Sequence, residues 1–268
     1  MRFGFVIPSG DAADVAELAA AAEQAGWDGV FVWEALYGVD AWVSLGAAAM
    51  RTSTIRLGTL LTPVSRRKPW ELAGQVATVD RLSAGRVTLS VGLGALDSGF
   101  ANFGEVCDRR TRAELMDESL EIMNGLWTGK PVSFSGTHYT VTPCDFPTIT
   151  HVVQRPHPPV WCVGALGSPK SMARALRCEG LIPQVVDGGG ARQATLTELI
   201  DAMPSVRAAA NGRPYDVIVE GSFDEHSPAA WFEAGATWWI ESLWDAMHGP
   251  DPVSAAMDRL RSGPPAIA

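Results

Sequence analysis

The stretch IRLGTLLTPVSRRKPWELAGQVATVDRLSAGRVTLSVGLG, residues 55–94, reads as one strand–helix–strand unit. Ile55–Leu61 is an apolar run of strand length. Pro69–Leu82 then repeats apolar residues at helical period, opens on a proline suited to a first turn, and is followed by Gly85. Val87–Val91 is a second apolar strand. Strands without polar alternation are buried on both faces. Joined by a helix, they belong to a parallel sheet covered by its own crossovers.

Outward from this unit the alternation continues. Further strands are expected at Phe3–Ile7, Gly29–Trp33, Val160–Val163, Leu181–Val185, Val217–Val219 and Trp238–Ile240. Helices are expected at Asp11–Ala25 (capped by Ser9 and ended at Gly26), Asp40–Arg51, Arg110–Trp127, Pro169–Arg177, Arg192–Ala209, Ser227–Ala234 and Pro252–Arg261. Eight strands alternating with eight helices in 268 residues predict an α/β fold, a (β/α)8 TIM barrel, over a doubly wound open sheet. The reading is one domain, 1–268, with an enlarged connection between strands four and five. That segment, 92–159, is expected to hold a helix and a hairpin, Val132–Val141, turning near Ser135–Gly136. At the C-terminal side of a barrel strand such an excursion builds active-site wall.

Composition limits the partners. With 47 % hydrophobic and 19 % charged residues the chain can fill a large core. No apolar run reaches the length of a membrane span, and MRFGFVIPSGD enters a strand with no secretory leader pattern. Cys107, Cys144, Cys162 and Cys178 form no C-x-x-C pair, so free thiols and a cytoplasmic location are expected. A net charge of −9 argues against nucleic acid and leaves a small-molecule substrate as the expected partner.

Barrel chemistry sits where strands end. The residues there are Pro8 and Ser9, Glu34, Thr62 and Pro63, Gly92 and Gly94, Gly164, Gln184, Glu220 and Glu241. No lysine is among them, which tells against a Schiff base, and the five histidines make no metal-binding spacing, so no metal is expected. Glycines at neighbouring strand ends admit a planar or phosphorylated ligand to the backbone, although each alone also suits a turn. Val163–Lys170 runs through a glycine turn to a helix capped by Ser168 and opened by Pro169, which aims free N–H groups at the mouth. Lys170 suits a bound anion there, or a solvated surface. Glu34, Glu220 and Glu241 either converge as paired carboxylates, for glycoside hydrolysis or a hard cation, or each bind a neighbouring arginine or backbone group. Trp33, Tyr37, Trp42, Trp238, Trp239 and Trp244 are candidates either for pocket walls, Trp33 and Tyr37 foremost, or for packing helices onto strands, and Trp42 suits the packing role.

Several of these segments resemble the luciferase-like flavin-dependent oxidoreductases, which include FMN-dependent monooxygenases and enzymes using the deazaflavin coenzyme F420. The resemblance rests on Ile55–Pro63, Arg66–Trp70, Ala77–Arg86, Val91–Gly94, Gln154–Trp161, Gly26–Trp33 and Glu118–Gly129. It covers most of residues 1–185. It implies a flavin or deazaflavin at the mouth, near Gly58, Thr59, Leu60 and Leu61, with a non-proline cis peptide at Leu60–Leu61. It further implies that Gly92 and Gly94 face the ring and that Gly164, Ala165, Leu166 and Gly167 form a phosphate turn. The histidine after strand two and the glutamate after strand four that sugar-phosphate dehydrogenases of the group use are absent here. Their positions hold Glu34–Ala35 and Ala95, which leaves Glu34 as the catalytic candidate.

The expected function is therefore oxidation, reduction or oxygenation of a small organic molecule with FMN or F420. With FMN, a separate flavin reductase is an expected partner, and a homodimer through the surface around strands two and three is expected in either case. A carboxylate hydrolase and a non-catalytic flavin-binding relative are the alternatives.

Overall fold

The computed structural model describes residues 1–95, 99–143, 152–188, 190–221 and 226–266. Its elements are β1 (Arg2–Ile7), α1 (Ala12–Gln24), β2 (Gly29–Val32), α2 (Ala41–Arg51), β3 (Arg56–Thr59, resumed at Thr62–Pro63), α3 (Pro69–Leu82), β4 (Val87–Gly92) and α4 (Arg109–Trp127). There follow β5 (Val160–Leu166), α5 (Pro169–Ala175), β6 (Gly180–Asp187), α6 (Leu196–Ala210), β7 (Asp216–Gly221), α7 (Pro228–Ala234), β8 (Trp238–Ser242) and α8 (Pro252–Arg261). Each strand pairs in parallel with its neighbours, and β1 pairs with both β2 and β8. That last pairing closes the sheet, as the barrel reading requires and an open sheet forbids.

Alternate residues of each strand point inward, and the lower interior is filled by rings and glycines in complement. Phe31, Trp161 and Trp238 meet with centroids 5.2–5.9 Å apart, all essentially inaccessible to solvent. A Cβ on Gly4, Gly29 or Gly58 would lie 2.7, 3.0 or 2.9 Å from the Phe31 ring, and one on Gly180 would lie 2.4 Å from Trp161. Four positions without side chains therefore house the large rings at interior packing density. Below them Arg56 donates to Thr88 Oγ1 at 2.7 Å, Arg2 lies over Trp238, and Trp161 donates to Asp216. The barrel is solid at this end.

The outward faces carry Val30, Val32, Leu57, Leu89 and Leu181 into a continuous layer beneath the helices. Two of the resembling segments are joined on this framework. Asp80 of α3 accepts from the backbone N–H of Val153 and Gln154 and from the Gln154 amide, which also donates to Val87 O. Arg86 donates to the carbonyls of Ala49, Thr52, Ile55 and Ser83.

Some local expectations change. Asp11, not Ser9, caps α1, because its carboxylate reaches the N–H groups of Ala13 and Asp14. Helix α6 begins at Leu196, since Gly190–Gln193 instead pairs antiparallel with Gln184–Asp187 and Thr195 caps in a box with Glu198. The hairpin is reduced to Phe134–Ser135 against Thr140–Val141, and Glu118 of α4 accepts the N–H groups of Thr137, His138 and Tyr139 at its turn. The Leu60–Leu61 peptide is cis.

Candidate active site at the barrel mouth

Three of the four thiols are free; Cys144 lies outside the described residues. No group of three or more His, Cys, Asp or Glu side chains suited to a metal occurs among the described residues, and no helix there is long and apolar enough to cross a membrane.

Strand parity separates the three glutamates. Glu34 takes the outward register of β2. Its Oε1 accepts from Thr62 Oγ1 at 2.8 Å and Trp42 Nε1 at 2.9 Å, and its Oε2 from Arg67 at 2.7 Å. Burial raises its pKa, opposed by Arg67, Thr62, Arg66 and Trp42. With 2 % of its side chain exposed and both oxygens engaged, Glu34 ties β2, the end of β3 and α2 together and faces away from the barrel axis. Glu241 is also outward, in a two-pronged pair with Arg259 of α8 at 2.5 and 2.6 Å. Glu220 alone faces inward. The convergence of carboxylates expected for a hydrolase is therefore not formed among the described residues, because strand alternation sends two of the three to the helix layer.

Glu220 accepts from Trp244 Nε1 at 2.7 Å, from Gln193 Nε2 at 3.0 Å and from the Ser242 hydroxyl. Burial raises its pKa, and these three neutral donors pull it back. Trp244 meets Trp33 edge to face at 6.2 Å, and Trp33 is fixed by donating to Pro8 O at 2.9 Å. Trp33 thus stands at the rim. Tyr37 does not, being 86 % exposed on the Ala35–Asp40 loop. Arg66 holds that loop through the carbonyls of Ala35 and Leu36. A cavity of about 130 Å³ lies beneath it, lined by residues 34–41 with Arg66 and Arg67.

The glycines also divide. Gly92 looks into the mouth, where an added Cβ would meet Leu61 at 2.9 Å and Val163 at 3.2 Å. Gly94, at φ +77°, turns the chain against Pro63. Gly58 is buried under Phe31, below the mouth, and Thr59, wholly buried, donates to Ser90 O. Gly164 faces outward, 2.3 Å from Leu181 and 2.9 Å from Met172 by its missing Cβ, so its place is in strand–helix packing. In the turn that follows, Ala165 N–H donates to Ser171 Oγ and Ser168 N–H to Ala165 O, and the Ser168 side chain makes no capping bond. Leu166 is half-buried, and Gly167, at φ +82°, has open space where a side chain would stand.

Sequence reading missed Ser90, Val163, Gln193, Ser242 and Arg67, whereas Trp244 is among the aromatic residues it offered for a pocket. Ser90 and Val163 carry a detectable signal, since counting back two from Gly92 and Ala165 finds the same face. The Ser90 hydroxyl is fully buried with no hydrogen-bond partner, directly below Gly92 on that face. A second cavity, about 250 Å³, lies between α4 and α5, far from the mouth. Its arginines, Arg174 and Arg177, are committed to Asp117 at 2.6 and 3.0 Å.

Comparison with known proteins agrees with this architecture. The chain is 32 % identical over 228 residues to an uncharacterised protein of Mycobacterium tuberculosis (strain ATCC 25618 / H37Rv), covering 83 % of this chain and 75 % of that one. It is 31 % identical over 212 residues to an F420-dependent glucose-6-phosphate dehydrogenase of Amycolatopsis mediterranei (strain U-32), covering 69 % of this chain but 62 % of the dehydrogenase. Among solved structures, an F420-dependent secondary alcohol dehydrogenase in complex with an F420-acetone adduct superposes with a TM-score of 0.76 at 19 % identity, covering 100 % of this chain and 99 % of that one. The oxygenating constituent of 3,6-diketocamphane monooxygenase from Pseudomonas putida, in complex with FMN, superposes at 0.65 and 19 % identity, over 83 % and 67 % of the two chains. These likenesses are of fold. The family model for luciferase-like monooxygenases matches residues 1–255, and the chain belongs to that family.

Proposed function

We propose that the chain is an oxidoreductase that holds a deazaflavin or flavin in the barrel mouth and acts there on a small organic substrate. The observation that carries this reading is the mouth itself. A solid floor of Phe31, Trp161 and Trp238 underlies the strand ends, where Leu61 and Val163 close over Gly92 and the Ser90 hydroxyl is buried without a partner. Gly92 brings no side chain of its own to this apolar wall, so a flat ring with polar edges that displaces Leu61 and Val163 can approach its backbone. When bound, the cofactor supplies hydride transfer, or oxygen activation in the case of FMN.

Within that arrangement the backbone around Leu60–Leu61 and Gly92 would support the ring, and Ser90 would donate to a ring edge or to an ordered water. The open turn at Gly167 and the first turn of α5 would receive the phosphate end. Trp33 and Trp244 would shield the reacting substrate from solvent, which strengthens polar interactions inside the site. F420 leads because dehydrogenases named for it are 31 % identical to this chain, and FMN is the second reading because of the FMN complex among its structural likenesses. With FMN a separate reductase would supply the reduced form.

The test is equilibrium binding of F420 and FMN, each oxidised and reduced, to the purified chain. Saturable binding of one, lost when Gly92 is enlarged, supports the assignment. Binding of neither would remove it.

A further inference from the structure

The mouth contains one polar group that the cofactor reading does not use. Glu220 is the inward carboxylate at the end of β7, and its surroundings differ from those of the other two strand-end glutamates. Glu34 has Arg67 and Glu241 has Arg259, whereas no arginine, lysine or histidine forms an ion pair with Glu220 among the described residues. The undescribed residues contain no lysine or arginine. The three donors to Glu220 are an indole, an amide and a hydroxyl, all neutral. They fix the carboxylate's direction without neutralising it.

We propose that Glu220, with Trp244 and Trp33, is the recognition site for a substrate carrying a basic nitrogen, an amine or the iminium related to it by hydride transfer. A half-buried carboxylate with no counter-charge among the described residues is stabilised when a cation arrives to pair with it. Two indoles in edge-to-face contact beside it add the electron-rich faces that attract ammonium groups over neutral isosteres. Burial raises the Glu220 pKa, and an incoming cation relieves that penalty, so the site rewards the charged ligand specifically. Gln193 reaches the carboxylate from the strand that folds back along β6, and so ties that strand to Glu220. The inference rests on the oxidoreductase reading for its chemistry but not for its binding test.

The experiment is calorimetric titration of the full chain with cyclohexylammonium and with cyclohexanol, a pair matched in size, with and without saturating cofactor. The ammonium is expected to bind at least about tenfold more tightly than the alcohol. Glu220→Gln, which keeps the shape and removes the charge, is expected to bring the ratio close to one. Trp244→Phe, which keeps a ring and removes one donor, is a second variant in case the first folds poorly. It should reduce the ratio without abolishing it. Equal affinities of the wild-type chain for both probes, or a preference unchanged in Glu220→Gln, overturn the proposal. If F420 or FMN binds while the probes do not discriminate, the amine assignment falls and the oxidoreductase reading stands. If the probes discriminate and neither cofactor binds, the reverse holds.

Discussion

The indole nitrogen of Trp244 donates to Oε1 of Glu220 at 2.7 Å, and this bond aims into the barrel mouth a carboxylate that has no cationic partner among the described residues. The same residue type on the next strand, Glu241, is instead paired with Arg259 in the helix layer. Two glutamates at adjacent strand ends therefore face opposite sides of the sheet. The difference is one step of strand register.

The first consequence is a pH dependence of stability. Burial raises the pKa of Glu220 in the folded chain, so the folded state holds that proton more tightly than the unfolded state does. Ionisation then opposes folding: the penalty is absent below the ordinary carboxylate pKa and grows as pH rises through that value to the folded one. Glu220→Gln cannot ionise. Its Tm relative to wild type should climb between acid and neutral pH, measured by thermal melts across that range. A constant difference would show that the carboxyl titrates normally.

Arg259→Ala should destabilise the chain by about 3 kcal/mol, because it strands the buried Glu241 carboxylate without its partner. Part of that loss comes from the stacking of the guanidinium on Trp27, 5.1 Å from its ring. Arg259→Ala with Glu241→Gln should recover much of it. Urea denaturation of the single and double variants measures this, and a double variant no better than the single one would assign the loss to packing alone.

The architecture was legible because a parallel barrel writes itself as short apolar runs separated by helical periods. Pro69–Leu82 and Pro252–Arg261 were placed to the residue, since a proline opens each and the apolar pattern ends sharply. The segments that carry the family resemblance were legible for a different reason. Asp80, Arg86 and Gln154 knit α3, β4 and the approach to β5 together, so they mark the scaffold more than the chemistry. The site was harder. Glu34, Glu220 and Glu241 look equivalent as strand-end acids, and only the register of each strand, together with distant partners such as Arg67, Arg259 and Gln193, separates them. Gln193 is hidden further because the helical pattern reads back through Arg192, whereas the backbone there pairs with β6 as an antiparallel strand.

Glu34 is the residue whose role changes most. Its three hydrogen-bond donors come from Trp42, Thr62 and Arg67, on three separate segments. Glu34→Ala should cost about 3 kcal/mol by stripping Trp42 Nε1 of its acceptor and leaving Arg67 with only Asp40 and Gln75 and Thr62 with only Thr59. Glu34→Gln should cost less and leave cofactor affinity unchanged. A stable Glu34→Gln variant with turnover abolished and binding intact would instead return it to the reacting centre.

Gly92 and Gly164 give the sharpest contrast, since both were expected at the cofactor and the fold turns them to opposite sides of the sheet. An alanine methyl at Gly164 would lie 2.3 Å from Leu181 and 2.9 Å from Met172, between β5 and α5. Gly164→Ala should therefore lower stability by about 1–3 kcal/mol through overpacking, with cofactor affinity of the folded fraction little changed. At Gly92 the methyl would lie 2.9 Å from a terminal carbon of Leu61 and 3.2 Å from Val163, both half-exposed at the mouth. Those side chains can move, but only further into the mouth where the ring would lie. Gly92→Ala should keep most of its stability and lose about tenfold or more in cofactor affinity, as one misplaced methyl group in a flat site costs on the order of 1–3 kcal/mol. Melting and cofactor titration of the two variants side by side decide the matter. Stability loss at Gly92 with affinity intact, together with affinity loss at Gly164 with stability intact, would exchange the two roles and move the cofactor to the phosphate-turn side of the strand.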